Sequence, residues 1–322
     1  MATACLAPLK QAYPQASITW AISDWAQAIL QGHPDIDAFL ETGSRDLPLK
    51  SPGELFNFIR KMRAGHYDLA ISLVRSPLMS LALLLAGIPF CVGLDSAGRG
   101  FAYHQKLSID PHLSESETQL YLKTIALLGI PTAGAVPHIP VDAGLLQTWQ
   151  AQLGQDYIVV NPNGGQNPGM QMDSKRYPLE FLAQVVNQLL DQQGFSIVLV
   201  GSKADQERSN YFTSLLHHPV QNLTGALSFA DIAAISRNSR YYLGNDTGLT
   251  HLAAATGVKT FMIMGPSNPI RYAPINPNAS ALYQTIYAGE GVSESTLVWD
   301  WPTMGIQPDQ VFRRILEESQ TS

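Results

Sequence analysis

The sequence predicts an α/β chain of two doubly wound domains facing across a cleft. Three observations carry that expectation. Short apolar runs, such as Phe195–Gly201 and Thr260–Met264, alternate with helical patterns, as parallel sheets covered on both faces require. The alternation breaks once, between Gly129 and Gln155, in a stretch that opens rich in proline and glycine, and then restarts. A chain of 322 residues also divides naturally into two domains at roughly 100–200 residues each. The expected domains are 1–150 and 151–322.

In the first half, a helical pattern over Ala4–Tyr13 leads into the alternating run Ser17–Ile22. Asp24–Leu30 is helical and Ala38–Leu40 a short strand. Ser51 and Pro52 form the cap and first position of a helix reaching Gly65. Strand Leu69–Val74, a helix after Pro77 and strand Phe90–Leu94 follow. Ser76–Leu94 carries no charge, but its unbroken part, Leu78–Ala86, falls far short of the ~20 residues that span a bilayer. A buried helix, then a Gly-Ile-Pro break, is the expectation there. Glu115–Leu128 is an amphipathic helix with Leu120, Ile125 and Leu128 on its apolar side.

In the second half, strand Tyr157–Val160 ends at Asn161-Pro162-Asn163-Gly164-Gly165. Helix Pro178–Gln193 and strand Phe195–Gly201 follow. Next come helix Ser228–Arg237, strand Tyr241–Gly244, helix Leu249–Thr256 and strand Thr260–Met264. Gln307–Glu318 closes the pattern as an amphipathic helix.

Composition excludes several functions. Charged residues are only 14%, against roughly 25% in average proteins, and the net charge is −6. That balance argues against a nucleic-acid binder working by phosphate neutralisation. The two cysteines, Cys5 and Cys91, imply no disulfide framework and read as buried thiols. No secretory leader pattern opens the sequence, so the sequons at Asn222, Asn245 and Asn278 carry no weight. Asp35-Ile36-Asp37 offers two lone carboxylates, few for a divalent ion. Gly98-Arg99-Gly100 lacks the third glycine of a dinucleotide fingerprint. Gly201-Ser202-Lys203 lacks the first half of a phosphate-binding loop, and no Gly-x-Ser-x-Gly elbow occurs.

The most informative stretch runs from Tyr242 to Ala255. A strand ends in Asn245-Asp246-Thr247-Gly248 and a helix rich in small residues follows. Such a turn presents free N–H groups and the positive end of a helix dipole, an anion site suited to phosphate. Asp246 either caps the helix or accepts hydrogen bonds from a ligand; Thr247 adds a hydroxyl and Gly248 permits close backbone approach. His251 falls in the first turn, within reach of a phosphate or sugar oxygen. The loop Gly265-Pro266-Ser267-Asn268-Pro269 leaves the next strand and is expected to converge on the same crevice. Lys175 and Arg176 are adjacent cations before a helix start, where the dipole disfavours them and a bound anion would explain them.

These segments resemble glycosyltransferase family 9, the bacterial ADP-heptose:lipopolysaccharide heptosyltransferases, whose fold is GT-B. The resemblance is carried by Lys175-Arg176-Tyr177-Pro178, Val198-Leu199-Val200-Gly201, Leu223-Thr224-Gly225, Leu227-Ser228 and the run Gly244–Ala254. Leu9-Lys10-Gln11-Ala12-Tyr13-Pro14, Ile18-Thr19-Trp20 and His33-Pro34-Asp35-Ile36-Asp37 extend it into the first half. It implies two Rossmann-like domains, an acceptor side followed by a nucleotide-sugar side. It implies that Lys175, Arg176, Asp246, Thr247, Gly248, Leu249 and His251 hold the donor, with Leu227 against the base. Asp205 or Glu207 would hold the ribose, and the two remain equal candidates.

The activity so implied is metal-independent sugar transfer without a cofactor. The donor is a nucleotide-diphosphate sugar, with ADP favoured, and the acceptor is a lipid-linked or other cell-envelope saccharide. The expected setting is cytoplasmic, with at most peripheral membrane contact at the inner face. The family's base is an aspartate in a Gly-Asp turn after a first strand, ahead of the helix matching Ala4–Tyr13. Neither stands in this sequence, so the expectation is a start upstream of Met1; no catalytic base is assigned, and Asp24 is expected to cap its helix. A donor-binding but catalytically weak homologue and a GT-B-like nucleotide-sugar epimerase are the alternatives.

Overall fold

The computed structural model describes residues 1–42, 52–110, 114–164, 166–167, 170–284 and 298–319. The chain forms two compact units, Met1–Pro137 and His138–Ser322. Among the described residues, no helix is long and apolar enough to cross a membrane.

The first unit opens with a 3-10 turn, Ala2–Cys5, that runs into α1 (Leu6–Ala12). Then come β1 (Thr19–Ile22), α2 (Asp24–Leu30), β2 (Ala38–Glu41), α3 (Pro52–Ala64) and β3 (Leu69–Ser72). They are followed by α4 (Pro77–Ala86), β4 (Phe90–Ser96), β5 (Gln105–Ile109) and α5 (Glu117–Ala126). Among the described residues every pairing is parallel, and the five strands lie in two sheets, β1-β2 and β3-β4-β5. Burial follows the pairing. β4, paired on both sides, buries Cys91, Val92 and Leu94, whereas β1 and β3, each paired on one side among the described residues, are mostly half-covered.

Several local expectations resolve here. Asp37 pairs with Lys10 at 2.8 Å and accepts the Ile18 N–H at 2.7 Å, tying α1 to the entry of β1. Asp37 of the Asp35-x-Asp37 motif thus serves as a staple. Cys5 and Cys91 are buried free thiols, and burial pushes the Cys5 thiol up to about 12. Asp24 does not cap α2; the cap position is Ser23, and Asp24 stands exposed in the first turn. Ser51 lies outside the described residues. α4 is not the fully buried helix expected. Met79, Ala82, Leu83 and Ala86 face the core, while Leu78, Leu84 and Leu85 are exposed.

The second unit begins with α6 (Ala143–Leu153), which the sequence pattern does not reveal because its apolar residues bury nothing fully. Asp142 caps it by accepting the Leu145 N–H at 2.8 Å. Then follow β6 (Tyr157–Asn161), a short antiparallel hairpin of β7 (Gln166–Asn167) and β8 (Met170–Gln171), and a 3-10 turn, Asp173–Lys175. α7 (Leu179–Gln193), β9 (Ser196–Leu199), α8 (Gln206–Ser214), β10 (Val220–Asn222) and α9 (Phe229–Asn238) continue the unit. β11 (Tyr242–Asn245), α10 (Gly248–Ala255), β12 (Thr260–Ile263), α11 (Pro269–Tyr272) and β13 (Ala279–Leu282) come next, then α12 (Trp301–Met304) and α13 (Pro308–Ser319). α6 packs on α9, and the Trp149 indole N–H donates to Asp231 at 3.0 Å.

The six strands form one parallel sheet in the order β10-β9-β6-β11-β12-β13. β6, β11 and β12 are buried along their whole length, which is why they read as continuous apolar runs. Leu182, Val186 and Leu189 of α7 and Val311 and Ile315 of α13 close over one face in a single core. Ser228 caps α9 in a reciprocal box. Its hydroxyl accepts the Asp231 N–H at 3.2 Å, and its own N–H donates to the Asp231 carboxylate at 3.0 Å. Ser228→Ala should therefore lower the stability of the second unit by about 1 kcal/mol, with Ser228→Thr losing less, as read from urea denaturation.

Candidate functional site

The sheet order fixes where a ligand can sit. From β6 the chain winds outward through β9 to β10; from β11 it winds the other way through β12 to β13. β6 and β11 are neighbours whose connections depart in opposite directions, so a crevice opens beyond their carboxyl ends. Each of the two strands ends on a buried asparagine, Asn161 and Asn245.

Asn245 ties the crevice together. Its side-chain carbonyl accepts the Tyr177 N–H at 3.0 Å, and its amide donates to the Asn163 carbonyl at 2.8 Å. Its own backbone carbonyl accepts the Thr250 hydroxyl at 2.6 Å, fastening the first turn of α10. Tyr177 is fully buried, its hydroxyl donates to the Ile306 carbonyl at 3.0 Å, and Trp301 packs edge-on against its ring. The Trp301 indole N–H reaches the Ser174 carbonyl at 2.9 Å, so the turn carrying Lys175 is pinned from both sides.

Pinned this way, Lys175 meets the residue after Asn245. Its ammonium lies 2.9 Å from the Asp246 carboxylate, with those side chains only 19% and 10% exposed. The Ser267 hydroxyl donates to the same carboxylate oxygen at 2.6 Å, which brings in the loop after β12. Asp246 is therefore not the cap of α10. Thr247 is, its hydroxyl accepting the Thr250 N–H at 3.4 Å. Burial works against ionising Asp246, but the Lys175 charge and the Ser267 hydrogen bond outweigh it and hold the carboxyl below its usual range. Burial likewise holds the His251 imidazole below its ordinary value, in the neutral form at neutral pH.

Close packing shapes the approach to the turn. Gly164 has φ +143°, and a β-carbon there would stand 2.4 Å from the Thr247 methyl. A β-carbon on Gly248 would meet nothing within 4 Å, so the backbone at the start of α10 is open to a ligand. Ala253 and Ala254 are fully buried, which lets α10 settle close to the sheet with its N-terminal N–H groups at the crevice.

A second feature lies beside the first. Arg176 donates to the Gly164 carbonyl at 2.6 Å and pairs with Asp173 at 2.8 Å. The adjacent cations thus both have carboxylate partners. Past Arg176 an open cleft of about 640 Å³ is lined by Glu180, Asp205, Glu207, Arg208 and Tyr211. Burial, with Arg176 close by, draws the Arg208 pKa below its usual value. Asp205 already serves the 3-10 turn before α8, accepting the Ser202 N–H at 2.9 Å and its hydroxyl at 2.6 Å.

Comparison with known proteins decides the family. The model of glycosyltransferase family 9 (heptosyltransferase) matches residues 55–298. The chain belongs to this family and is a glycosyltransferase. Lipopolysaccharide heptosyltransferase 2 of Escherichia coli K12 is 26% identical over 290 residues, covering 85% of this chain and 81% of that protein. A family 9 glycosyltransferase from Veillonella parvula superposes with a TM-score of 0.80 at 19% identity, over 100% of this chain and 93% of that one. An E. coli heptosyltransferase solved with ADP gives 0.69 at 18% identity, over 98% and 95%. The fold is GT-B.

Within this family member, the structure joins Lys175, Asp246 and Ser267 in one hydrogen-bonded cluster, with Thr247 capping α10 and Gly248 and His251 on its first turn. Leu249 is half-covered on that turn, and half-covered Leu227 precedes the α9 cap. Asp205, Glu207 and Arg176 fall together on the neighbouring cleft instead. Sequence reasoning singles out the Ser267 loop but not Ser267 as a partner of Asp246. It treats Asn245 and Tyr177 as motif letters without a role. It misses Arg208 and Tyr211 because α8 carries few apolar residues to mark it.

Two measurements probe this cluster. Asn245→Ala orphans the Tyr177 N–H and the Asn163 carbonyl and should cost about 3 kcal/mol of unfolding free energy in urea titration. Acidification should destabilise the fold in two windows. His251 binds its proton more readily unfolded, so stability is lost as pH falls below its ordinary value; Asp246 is held low, so its contribution is present above the ordinary carboxylate pKa and is lost as pH falls through its folded value. His251→Gln should flatten the first window and Asp246→Asn the second, in melting temperature against pH.

Proposed function

We propose that the chain transfers heptose from an ADP-linked donor to a lipid-linked saccharide of the cell envelope, without a divalent metal. The carrying observation is the Lys175–Asp246–Ser267 cluster at the N-terminus of α10, on the crevice between β6 and β11. Two similar proteins support this donor and acceptor: the lipopolysaccharide heptosyltransferase of E. coli K12 and the E. coli heptosyltransferase solved with ADP.

In the transfer, the bond from the anomeric carbon to a diphosphate oxygen breaks and the acceptor hydroxyl oxygen bonds to that carbon, releasing its proton. Negative charge grows on the departing diphosphate. The N–H groups and dipole at the start of α10 would face it, and Lys175, paired with Asp246 just ahead of that helix, would supply a full positive charge. Asp246 keeps that ammonium positioned before the donor arrives, and His251 and the Thr247 hydroxyl offer further contacts to phosphate or sugar oxygens. Glu207, on the neighbouring cleft, and Asp205, if released from Ser202, are the carboxylates that would hold the ribose. A lipid-linked acceptor would put the reaction at the cytoplasmic face of the inner membrane.

Calorimetric titration with ADP- and UDP-sugars checks the donor: the ADP-sugar should bind more tightly. Lys175→Gln should weaken that binding at least ~10-fold while the thermal transition survives. Transfer to a lipopolysaccharide acceptor should proceed at an unchanged rate in excess chelator. Unchanged donor affinity in the Lys175 variant would reject the site, and loss of transfer in chelator would reject the metal-free reaction.

A further inference from the structure

The first unit carries a surface that the transfer chemistry does not use. On α4, Leu84, Leu85 and Leu78 are 53%, 44% and 40% exposed, and the helix holds no charged residue. On α3, Phe56 is 70% exposed. Arg60 and Arg63 follow it at positions i+4 and i+7, so the three share one face of the helix. Glu54 and Lys61 fall on another flank, where Lys61 lies 3.5 Å from Glu41. The Arg63 guanidinium donates to the Leu85 carbonyl at 2.9 Å, which sets the cationic face directly against the C-terminal end of the apolar helix.

We infer that this α3–α4 face docks on an anionic phospholipid surface. Leu78, Leu84 and Leu85 stand exposed on one uncharged helix, with exposed Phe56 on the helix packed against it, and apolar side chains grouped in this way mark an interaction surface. Beside them, among the described residues, Arg60 meets the Asn57 side chain at 3.1 Å and Arg63 a backbone carbonyl, neither of them a carboxylate. The chain as a whole carries −6, so this local positive charge opposes the general trend. Apolar side chains entering the interface beside arginines at the headgroup level is the arrangement of an interfacial helix pair. A second copy of the chain is the poorer occupant, because a two-fold pairing of this face would set Arg60 and Arg63 against their own copies.

Flotation of the full chain with phosphatidylglycerol/phosphatidylcholine vesicles tests the surface, with no donor or acceptor present. The chain should float with anionic vesicles, stay behind with pure phosphatidylcholine, and be released as salt rises. Leu84→Ser/Leu85→Ser should weaken binding roughly 10-fold. Arg60→Gln should weaken it about fivefold at low salt and little at high salt. All three substituted positions are exposed, so melting temperatures should hold and confirm folded variants. Equal binding to both vesicle types, or undiminished binding in the leucine variant, overturns the inference. So does a dimer of the wild-type chain, seen by analytical ultracentrifugation without vesicles, that the leucine variant abolishes. The proposed donor site lies in the second unit, away from the substituted residues in sequence, so donor affinity is read separately.

Discussion

The buried side-chain amide of Asn245 is the contact on which the second unit's ligand crevice depends. One group at the end of β11 satisfies the N–H of Tyr177 and the carbonyl of Asn163, from segments 68 and 82 residues away in sequence. Both partners belong to loops, which carry backbone groups that strand pairing leaves over. An apolar residue in its place would leave both unsatisfied in a dry site. The cost of that vacancy is what forces the three loops into one register, and with them the positions of Lys175, Gly164 and the start of α10.

On this frame, Lys175 and Asp246 form an ion pair that adds little net stability. Two charges taken largely out of water lose hydration that their attraction only partly returns. The benefit is positional. A lysine on a free loop would spread over many rotamers, and holding it against Asp246 keeps its ammonium at the turn that leads into α10. Ser267 satisfies a further lone pair of the same carboxylate, so the pair stays ionised despite its burial.

Much of this was legible in the sequence where a local rule sufficed. Apolar runs marked the buried strands β6, β11 and β12, and Ser228 marked its helix by cap chemistry. The Asn-Asp-Thr-Gly turn stood out through its polar residues at the passage from strand to helix. Reading failed where a segment's structure comes from its neighbours. β13 is built of small residues, α6 buries none of its side chains fully, and α8 is polar along most of its length. Asp246 and Thr247 both suit the cap of α10 by type, and only the pull of Lys175 and Ser267 on the Asp246 carboxylate settles which residue takes it.

By itself, the sequence determined the alternation of strands and helices, the family, and which segments supply polar groups at strand ends, because these follow from periodicity and local capping. Tertiary structure decided which of those groups meet. It split the first unit's strands into two sheets, brought Lys175 to Asp246 rather than to Asp173, and sent Asp205 and Glu207 to a neighbouring cleft. It also turned the outer face of an uncharged helix toward solvent beside two arginines. Each outcome depends on distances between residues far apart in the chain, and those distances are set by sheet order and core packing, which no local pattern encodes.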